Sequence, residues 1–186
     1  SWGPHQAQAI RKARKVAGFI LRSFHHASLE TYARLFTCYI QPHLEFCSVL
    51  FNRSSMADSR AIERVSSWFT KRVFRRLCLR DHGYRARLEA MGLMRLDERR
   101  DCLDLGFANQ VYSGRHYCPD LVFPATSSRY PLSHSSRMAS ERKATNHRRT
   151  FLPNRLAPRF NALPFSWLGQ SKKTFASKVR DSLRSD

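Results

Sequence analysis

Basic side chains with helical spacing are the residues of this sequence best suited to bind a ligand. In residues 57–79, apolar side chains recur every three or four positions, which predicts one buried helix face. These apolar residues are Ile62, Val65, Phe69, Val73 and Leu77. At about 100° per residue, the basic residues fall on the opposite face or at its edge. On the opposite face are Arg60, Arg64, Lys71 and Arg75, and at the edge are Arg72 and Arg76. A face of this kind neutralises phosphates, which gives salt-dependent binding without base specificity. The alternative is a solvated helix face, but acidic residues are sparse nearby, which favours binding.

A second basic cluster lies in the early turns of a helix predicted over residues 5–24. Its members are Arg11, Lys12, Arg14 and Lys15. Positive charge near the start of a helix opposes the helix dipole. The cluster therefore suggests an anionic partner, and a plain surface cluster is the alternative.

Two aromatic residues and one further basic segment complete the nucleic-acid candidates. Trp68 and Tyr84 have rings that can stack on bases, although packing in the core is favoured for both. The stretch Arg142–Arg149 is rich in basic residues. It is read as a phosphate-binding arm, as a targeting signal, or as a basic loop with no function of its own.

Three carboxylates on one predicted helix face are a candidate metal site. They are Asp97, Asp101 and Asp104. Because Arg99 and Arg100 are adjacent and the helix begins close by, dipole and ion-pair roles are favoured.

Histidine and cysteine residues lack the paired short spacings of a zinc site. The pairs considered are His82 with Cys78 and His116 with Cys118, and His43 is assigned to packing or capping on a core helix. The five cysteines contain no C-x-x-C, which favours a reducing compartment and buried free thiols. Nothing in the sequence orients a catalytic triad. We expect no catalytic residue, no metal and no cofactor.

Charge and hydropathy limit the class of partner. The 186 residues carry a net charge of +19, with +10 in residues 1–80, −1 in residues 81–114 and +10 in residues 115–186. A field this positive favours polyanions, most often nucleic acid. No apolar run approaches the roughly 18 residues of a membrane span, and no signal peptide is visible. We expect no membrane partner and an intracellular location, nuclear or cytoplasmic.

The periodicity predicts a mainly α fold. A small helical bundle over residues 1–80 carries a helical extension, 81–114, that packs on it. A basic, loop-rich linker over 115–150 and a short, proline-interrupted C-terminal helical segment over 151–186 follow. A second apolar stripe runs from Leu29 to Phe51, and Pro42 is expected to kink or break it. Ser28 and Ser171 are expected helix caps.

The run IQPHLEFC, Ile40–Cys47, resembles the region just after the catalytic palm of non-LTR (LINE-type) retrotransposon reverse transcriptases. Further similar segments follow in the same order along the chain. They are the basic–apolar helix Ile62–Leu77, the segment Arg85–Leu96 (R-x-R-L-E-x-M-G-L-x-x-L), Glu98-Arg99-Arg100, Phe151–Pro164 and the closing helix Ser171–Leu183.

The resemblance implies that residues 1–80 are a polymerase thumb that grips the template–primer, and that the remainder is the C-terminal extension. The family is an RNA-directed DNA polymerase whose palm holds metal ions with an aromatic-x-Asp-Asp motif, and this sequence contains no Asp-Asp pair. We therefore expect the chain not to polymerise by itself. Because it begins with Ser1 instead of methionine, we expect a piece of a longer product, with the missing palm and fingers as a partner.

Three functions from different classes remain open. The first is a non-catalytic nucleic-acid-binding fragment that contacts the backbone of RNA, DNA or a hybrid through the basic helix face. The second is part of a longer active reverse transcriptase. The third is a helical protein-interaction module.

Overall fold

The computed structural model describes residues 3–51, 56–119, 121, 138 and 152–185. These residues are mainly helical, they contain no β-strand, and a helix lies at their C-terminal end. The mainly α fold with a terminal helix is confirmed. None of the helices in these ranges has the length and apolar character needed to span a membrane. The chain divides into two compact units, residues 1–48 with 53–99 and residues 49–52 with 100–186.

Two long helices frame the first unit. Helix α1 (Gly3–Ser23) packs on helix α5 (Met56–Arg76). On α1, Ala13 and Ala17 are fully buried. Since an alanine side chain extends little from its helix, two helices can approach closely there. Phe24 lies just beyond the helix end and is exposed.

The chain between these two helices is broken near Pro42, as predicted. It forms α2 (Leu29–Leu35), a single π-helical turn (Phe36–Ile40), α3 (Gln41–Glu45) and α4 (Ser48–Phe51). In the π-helical turn, the amide of Gln41 donates to the carbonyl of Phe36, five residues back. Because Pro42 has no N–H, the regular ladder cannot continue through it, and the wider turn lies immediately before it.

The expected start of α2 is confirmed, whereas the expected burial of the cysteines is wrong. Ser28 Oγ accepts a hydrogen bond from the amide of Thr31 at 3.2 Å, which satisfies a free amide of the first turn. Cys38, Cys47 and Cys78 are exposed, and Cys102 and Cys118 are partly buried. Cys47 does not continue the apolar stripe, because α3 ends at Glu45 and Cys47 adopts a left-handed backbone conformation with φ 56°.

Aromatic contacts hold the α2–α3 segment against α5. The rings of Phe36 and Phe69 lie 5.5 Å apart, and Tyr32 meets Phe69 edge-on at 6.4 Å. The apolar stripe predicted for α5 is buried at Ile62, Val65, Phe69 and Val73. The opposite face of α5 is therefore the one that remains available to a ligand.

Two further helices follow α5. Helix α6 (Tyr84–Ala90) is followed by Gly92, and α7 (Leu96–Tyr112) by Gly114. Both glycines have positive φ, 63° and 70°, as is common just after a helix end.

The second unit contains most of α7 together with α8 (Leu152–Asn161), a 3₁₀ turn (Phe165–Trp167) and α9 (Lys172–Ser185). Its core includes Leu105, Phe160, Phe175 and Val179. Helix α8 runs through Pro158, so proline limits this segment less than expected. Ser171 Oγ accepts from the amide of Thr174 at 3.3 Å, which confirms Ser171 as the cap of α9.

Candidate nucleic-acid interface

Helix α5 positions the main basic face. Its apolar side is buried, and Arg60, Arg64, Lys71 and Arg75 on the other side are all exposed. An acidic residue lies in the first turn and two arginines lie in the last, an arrangement that the helix dipole favours. The sequence-based assignment of faces on this helix is therefore confirmed by burial.

Helix α1 carries its basic cluster on an exposed surface, but the four residues do not share one side. Lys12 and Arg14 flank the fully buried Ala13, so at about 100° per residue they lie at opposite margins of the buried face. Arg14 is at the margin next to the basic face of α5, and Lys12 is at the other. Arg11 and Lys15, four residues apart, share the exposed side of α1 between these two margins.

A surface cavity forms where the two helices meet. Its volume is about 620 Å³, and it is lined by Arg14 from α1 and by Arg64, Ser67, Trp68 and Lys71 from α5. Three of the ten basic residues singled out from the sequence therefore border a single cavity. We refer to it below as the α1–α5 cavity.

Few acidic side chains compete with an external anion for the cations around this cavity. Among the described residues, no carboxylate forms an ion pair with Arg14, Arg64 or Lys71. Glu63, beside Arg64 in sequence, is instead held by the amide of Leu96 at 3.1 Å and by the hydroxyl of Tyr84. The three cations can thus be offered to an external anion.

Lys71 interacts electrostatically with the carboxylate of Asp81. Hydrogen bonds from the Gly83 amide, at 3.0 Å, and from Arg87 hold the pKa of Asp81 below its usual value. Lys71 adds a smaller effect in the same direction. Asp81 therefore already has closer partners than Lys71.

The two candidate stacking residues differ in placement. Trp68, for which core packing was favoured, lies at the surface with 38% of its area exposed, and the guanidinium carbon of Arg72 lies 5.4 Å from its ring centre. The prediction that Trp68 packs in the core was wrong. Position 68 lies about 100° around α5 from the buried Phe69, on the side that borders the cavity. Tyr84 is partly buried and donates to Glu63, as a packed tyrosine does.

Arg76 has a partner within the bundle. Its Nη1 donates to the carbonyl of Leu21 at the end of α1, to the carbonyl of Phe24 at 3.2 Å and to the hydroxyl of Tyr32 at 3.2 Å. It therefore fastens the C-terminal end of α1 to α5. A sequence signal existed, because Arg76 lies seven residues after Phe69, two turns along the buried side.

The carboxylates of α7 are engaged by arginines. Asp97 accepts from Arg95 at 2.8 and 3.0 Å, Asp104 from Arg155 at 3.1 Å, and Asp101 from Arg159. The ion-pair roles favoured for Asp97, Asp101 and Asp104 are confirmed. Within the described ranges, no group of three or more His, Cys, Asp or Glu side chains is arranged to hold a metal ion.

The remaining candidates lie away from the cavity or outside the described residues. His82 and Cys78 are both exposed, and the ring of His116 stacks on Phe107 at 6.5 Å. The basic stretch Arg142–Arg149 lies outside the described residues. Ser67 is the one lining residue that the sequence did not single out, and its position between Arg64 and Lys71 on α5 was the available signal.

Comparisons with known proteins do not assign a family. No protein-family model matches the sequence, and no solved structure matches it. Over 114 residues, 61% of this chain, it is 25% identical to an uncharacterized protein of Caenorhabditis elegans. The matched region spans 58% of that protein's length. The features that bear on function are therefore the α1–α5 cavity and the basic face of α5.

Proposed function

We propose that this chain binds the phosphate backbone of nucleic acid through α5 and Arg14, as the non-catalytic thumb and C-terminal region of a LINE-type reverse transcriptase. The single observation that supports this proposal most is the convergence of Arg14, Arg64 and Lys71 on one cavity. Two of these residues belong to one basic cluster of the sequence and one to the other. Separate surface charges give no reason for such a convergence, whereas a shared anion does.

The chemistry of the surface fits backbone contact better than base reading. Arginine and lysine are the usual partners of phosphate oxygens, and such contacts position a protein on nucleic acid without selecting sequence. Arg60 and Arg75 extend the basic face along α5, a helix of 21 residues. At about 1.5 Å per residue, this helix is about 30 Å long and can follow several successive phosphates.

The proposal is tested by the salt dependence of binding. In the double variant Arg64→Gln/Lys71→Gln, we expect weaker binding of a labelled oligonucleotide. The slope of log K against log salt should become shallower by about one to two, since each phosphate contact contributes about 0.7 to 0.9. Fluorescence anisotropy between about 50 and 200 mM salt measures both quantities.

The matched control removes the same charge elsewhere. Lys172 and Lys173 are exposed on α9, and Lys172→Gln/Lys173→Gln lowers the net charge by the same amount. We expect the control to keep the wild-type slope. An unchanged slope in Arg64→Gln/Lys71→Gln would contradict the proposal, and salt-insensitive association with a protein alone would favour an interaction module.

The proposal also includes a partner. As a thumb, the chain acts beside a palm and fingers that lie outside these residues, and the complete enzyme would be an RNA-directed DNA polymerase. The chain alone should bind a primer–template without extending it. Incorporation of deoxynucleotides by the chain itself would contradict its non-catalytic role.

A further inference from the structure

Trp68 gives the α1–α5 cavity a flat aromatic wall. The side chain has 38% of its area exposed, on a helix whose other aromatic residues, Phe69 and Phe74, are buried. Exposing an indole costs the hydrophobic stabilisation that its burial would supply. Other aromatic residues, such as Phe19 with 60% of its area exposed, lie further out, so the feature that distinguishes Trp68 is its place in the lining of a basic cavity.

Arg72 fixes one side of this indole. Its guanidinium carbon lies 5.4 Å from the ring centre, within the range of a cation–π contact, and the two residues are one helical turn apart. Arg72 is not among the residues that line the cavity. The indole is thus held by Arg72 while another part of its surface borders the cavity.

The other lining residues surround this wall with positive charge and one hydroxyl. Arg14, Arg64 and Lys71 supply the cations, and Ser67 supplies a group that both donates and accepts hydrogen bonds. The volume of about 620 Å³ falls within the roughly 300 to 1,000 Å³ range of small-ligand sites. An aromatic wall with cations around it fits a flat ring that carries phosphate.

We propose that the α1–α5 cavity binds one unstacked nucleobase of a single strand, with the base against Trp68 and the neighbouring phosphates on Arg14, Arg64 and Lys71. This inference rests on the proposed nucleic-acid binding and names the form of nucleic acid that the site selects. Inside a duplex every base is stacked between its neighbours, so only the outer faces of the two terminal pairs are uncovered and no single base is free to stack on Trp68. In a single strand or at an unpaired end, a base is free.

The test separates base stacking from charge. Wild-type protein is titrated with a single-stranded oligonucleotide, with an abasic oligomer of the same length, and with a blunt duplex. We expect the base-bearing single strand to bind more tightly than the abasic oligomer. Trp68→Ala should remove this preference by weakening the binding of the single strand about 5- to 150-fold, the loss expected for one stacked base, and should leave the binding of the abasic oligomer and of the duplex unchanged.

Two further variants guard against a loss of fold. Trp68→Phe keeps an aromatic wall and should retain most of the preference, and Phe19→Ala removes a more exposed aromatic residue, on α1, that does not line the cavity. Phe19→Ala should bind like wild type. In the unmodified protein, a 2-aminopurine base in the single strand should lose fluorescence on binding, because stacking quenches it.

The results that overturn the inference differ from those that overturn the proposed function. If wild type binds single strand, abasic oligomer and duplex alike, or if Trp68→Ala weakens all three equally, the base site is wrong while backbone binding stands. If no nucleic acid binds in a salt-dependent manner, both proposals fail.

Discussion

Neighbouring arginines at the end of α5 have different environments. Arg75 projects from the exposed basic face, whereas Arg76 donates to carbonyls at the end of α1 and to the hydroxyl of Tyr32. A cation close to the last carbonyls of a helix also interacts favourably with the helix dipole. Substitutions at these two adjacent arginines can therefore distinguish a contribution to stability, at Arg76, from a contribution to binding, at Arg75.

For Arg76→Met, we expect the free energy of unfolding to fall by about 1 to 2 kcal/mol, because charged hydrogen bonds to α1 are lost. For Arg75→Met, we expect unchanged stability and weaker oligonucleotide binding. Denaturant unfolding and fluorescence anisotropy on the same two proteins measure both effects. Equal losses of stability in the two variants would contradict the role given to Arg76.

Glu63 is an ionisable residue enclosed by the bundle. Burial raises the pKa of its carboxyl above the ordinary 4.5, and the hydrogen bonds from Tyr84 and from the Leu96 amide partly oppose this shift. In the unfolded chain the carboxyl ionises near its ordinary pKa. Between the two pKa values, the folded state holds the proton more tightly, so stability falls as the pH rises through this interval.

Glu63→Gln cannot ionise and should remove this dependence. As the pH rises from about 4 to 7, we expect the free energy of unfolding of wild type to decrease relative to that of Glu63→Gln. Denaturant unfolding at a series of pH values measures the difference. Tyr84→Phe removes a hydrogen bond that lowers the pKa of Glu63 and should extend the decrease to higher pH. A wild-type stability that increases relative to that of Glu63→Gln as the pH rises would refute this account.

At the scale of helices, periodicity predicted the faces and failed to predict their mutual placement. The spacing of Ile62, Val65 and Phe69 was enough to assign the buried side of α5, because one helix needs one apolar stripe. The approach of α1 to α5 depends on three-dimensional packing at Ala13 and Ala17. Consequently, the meeting of Arg14 with Arg64 could not be read from the sequence.

The π-helical turn shows the same limit of prediction from the sequence. Pro42 predicted that the helix would be interrupted, since its missing N–H ends the regular ladder. The form of the interruption, a wider turn over Phe36–Ile40 that keeps Phe36 and Ile40 buried, depends on packing against α1 and on the contact of Phe36 with Phe69 of α5. The exposure of Trp68 likewise depends on which neighbours cover position 68.

The placement of α1 leads to a prediction about its basic cluster. Arg14 lines the α1–α5 cavity, whereas Lys12 lies at the other margin of the buried face. We expect Arg14→Gln to weaken oligonucleotide binding and flatten the salt slope more than Lys12→Gln, although each removes one charge from the same helix. Anisotropy titrations over a series of salt concentrations measure this, and equal effects would show that only the net charge of α1 matters.

At the scale of the whole chain, the net charge of +19 overstates the charge offered to a ligand. In the second unit, Arg155 pairs with Asp104, Arg159 pairs with Asp101, and Arg115 donates to the carbonyl of Gln170 at 3.1 Å. These arginines contribute to the +10 of residues 115–186 and yet hold the helices of that unit together. The cations that form no ion pair with a carboxylate of the protein therefore locate polyanion binding better than the net charge does.

The pair of Arg155 and Asp104 is the most enclosed of these contacts. Its side chains are 7% and 3% exposed, Nε and Oδ2 lie 3.1 Å apart, and Arg155 also donates to the carbonyl of Val49. The contact joins α7 to α8 and to the short segment at Val49 within the second unit. Removing one partner of a buried pair leaves a charge without its counter-charge in a medium of low polarity.

For Asp104→Asn, we therefore expect the free energy of unfolding of the second unit to fall by about 3 to 5 kcal/mol. The double variant Asp104→Leu/Arg155→Met removes both charges and should recover most of this loss, because apolar groups of similar volume can replace a buried ion pair. Thermal unfolding followed by circular dichroism compares the two. If the double variant is as unstable as Asp104→Asn, the hydrogen bonds of Arg155 matter more than the burial of its charge, and this arginine is required for the packing of α8 on α7.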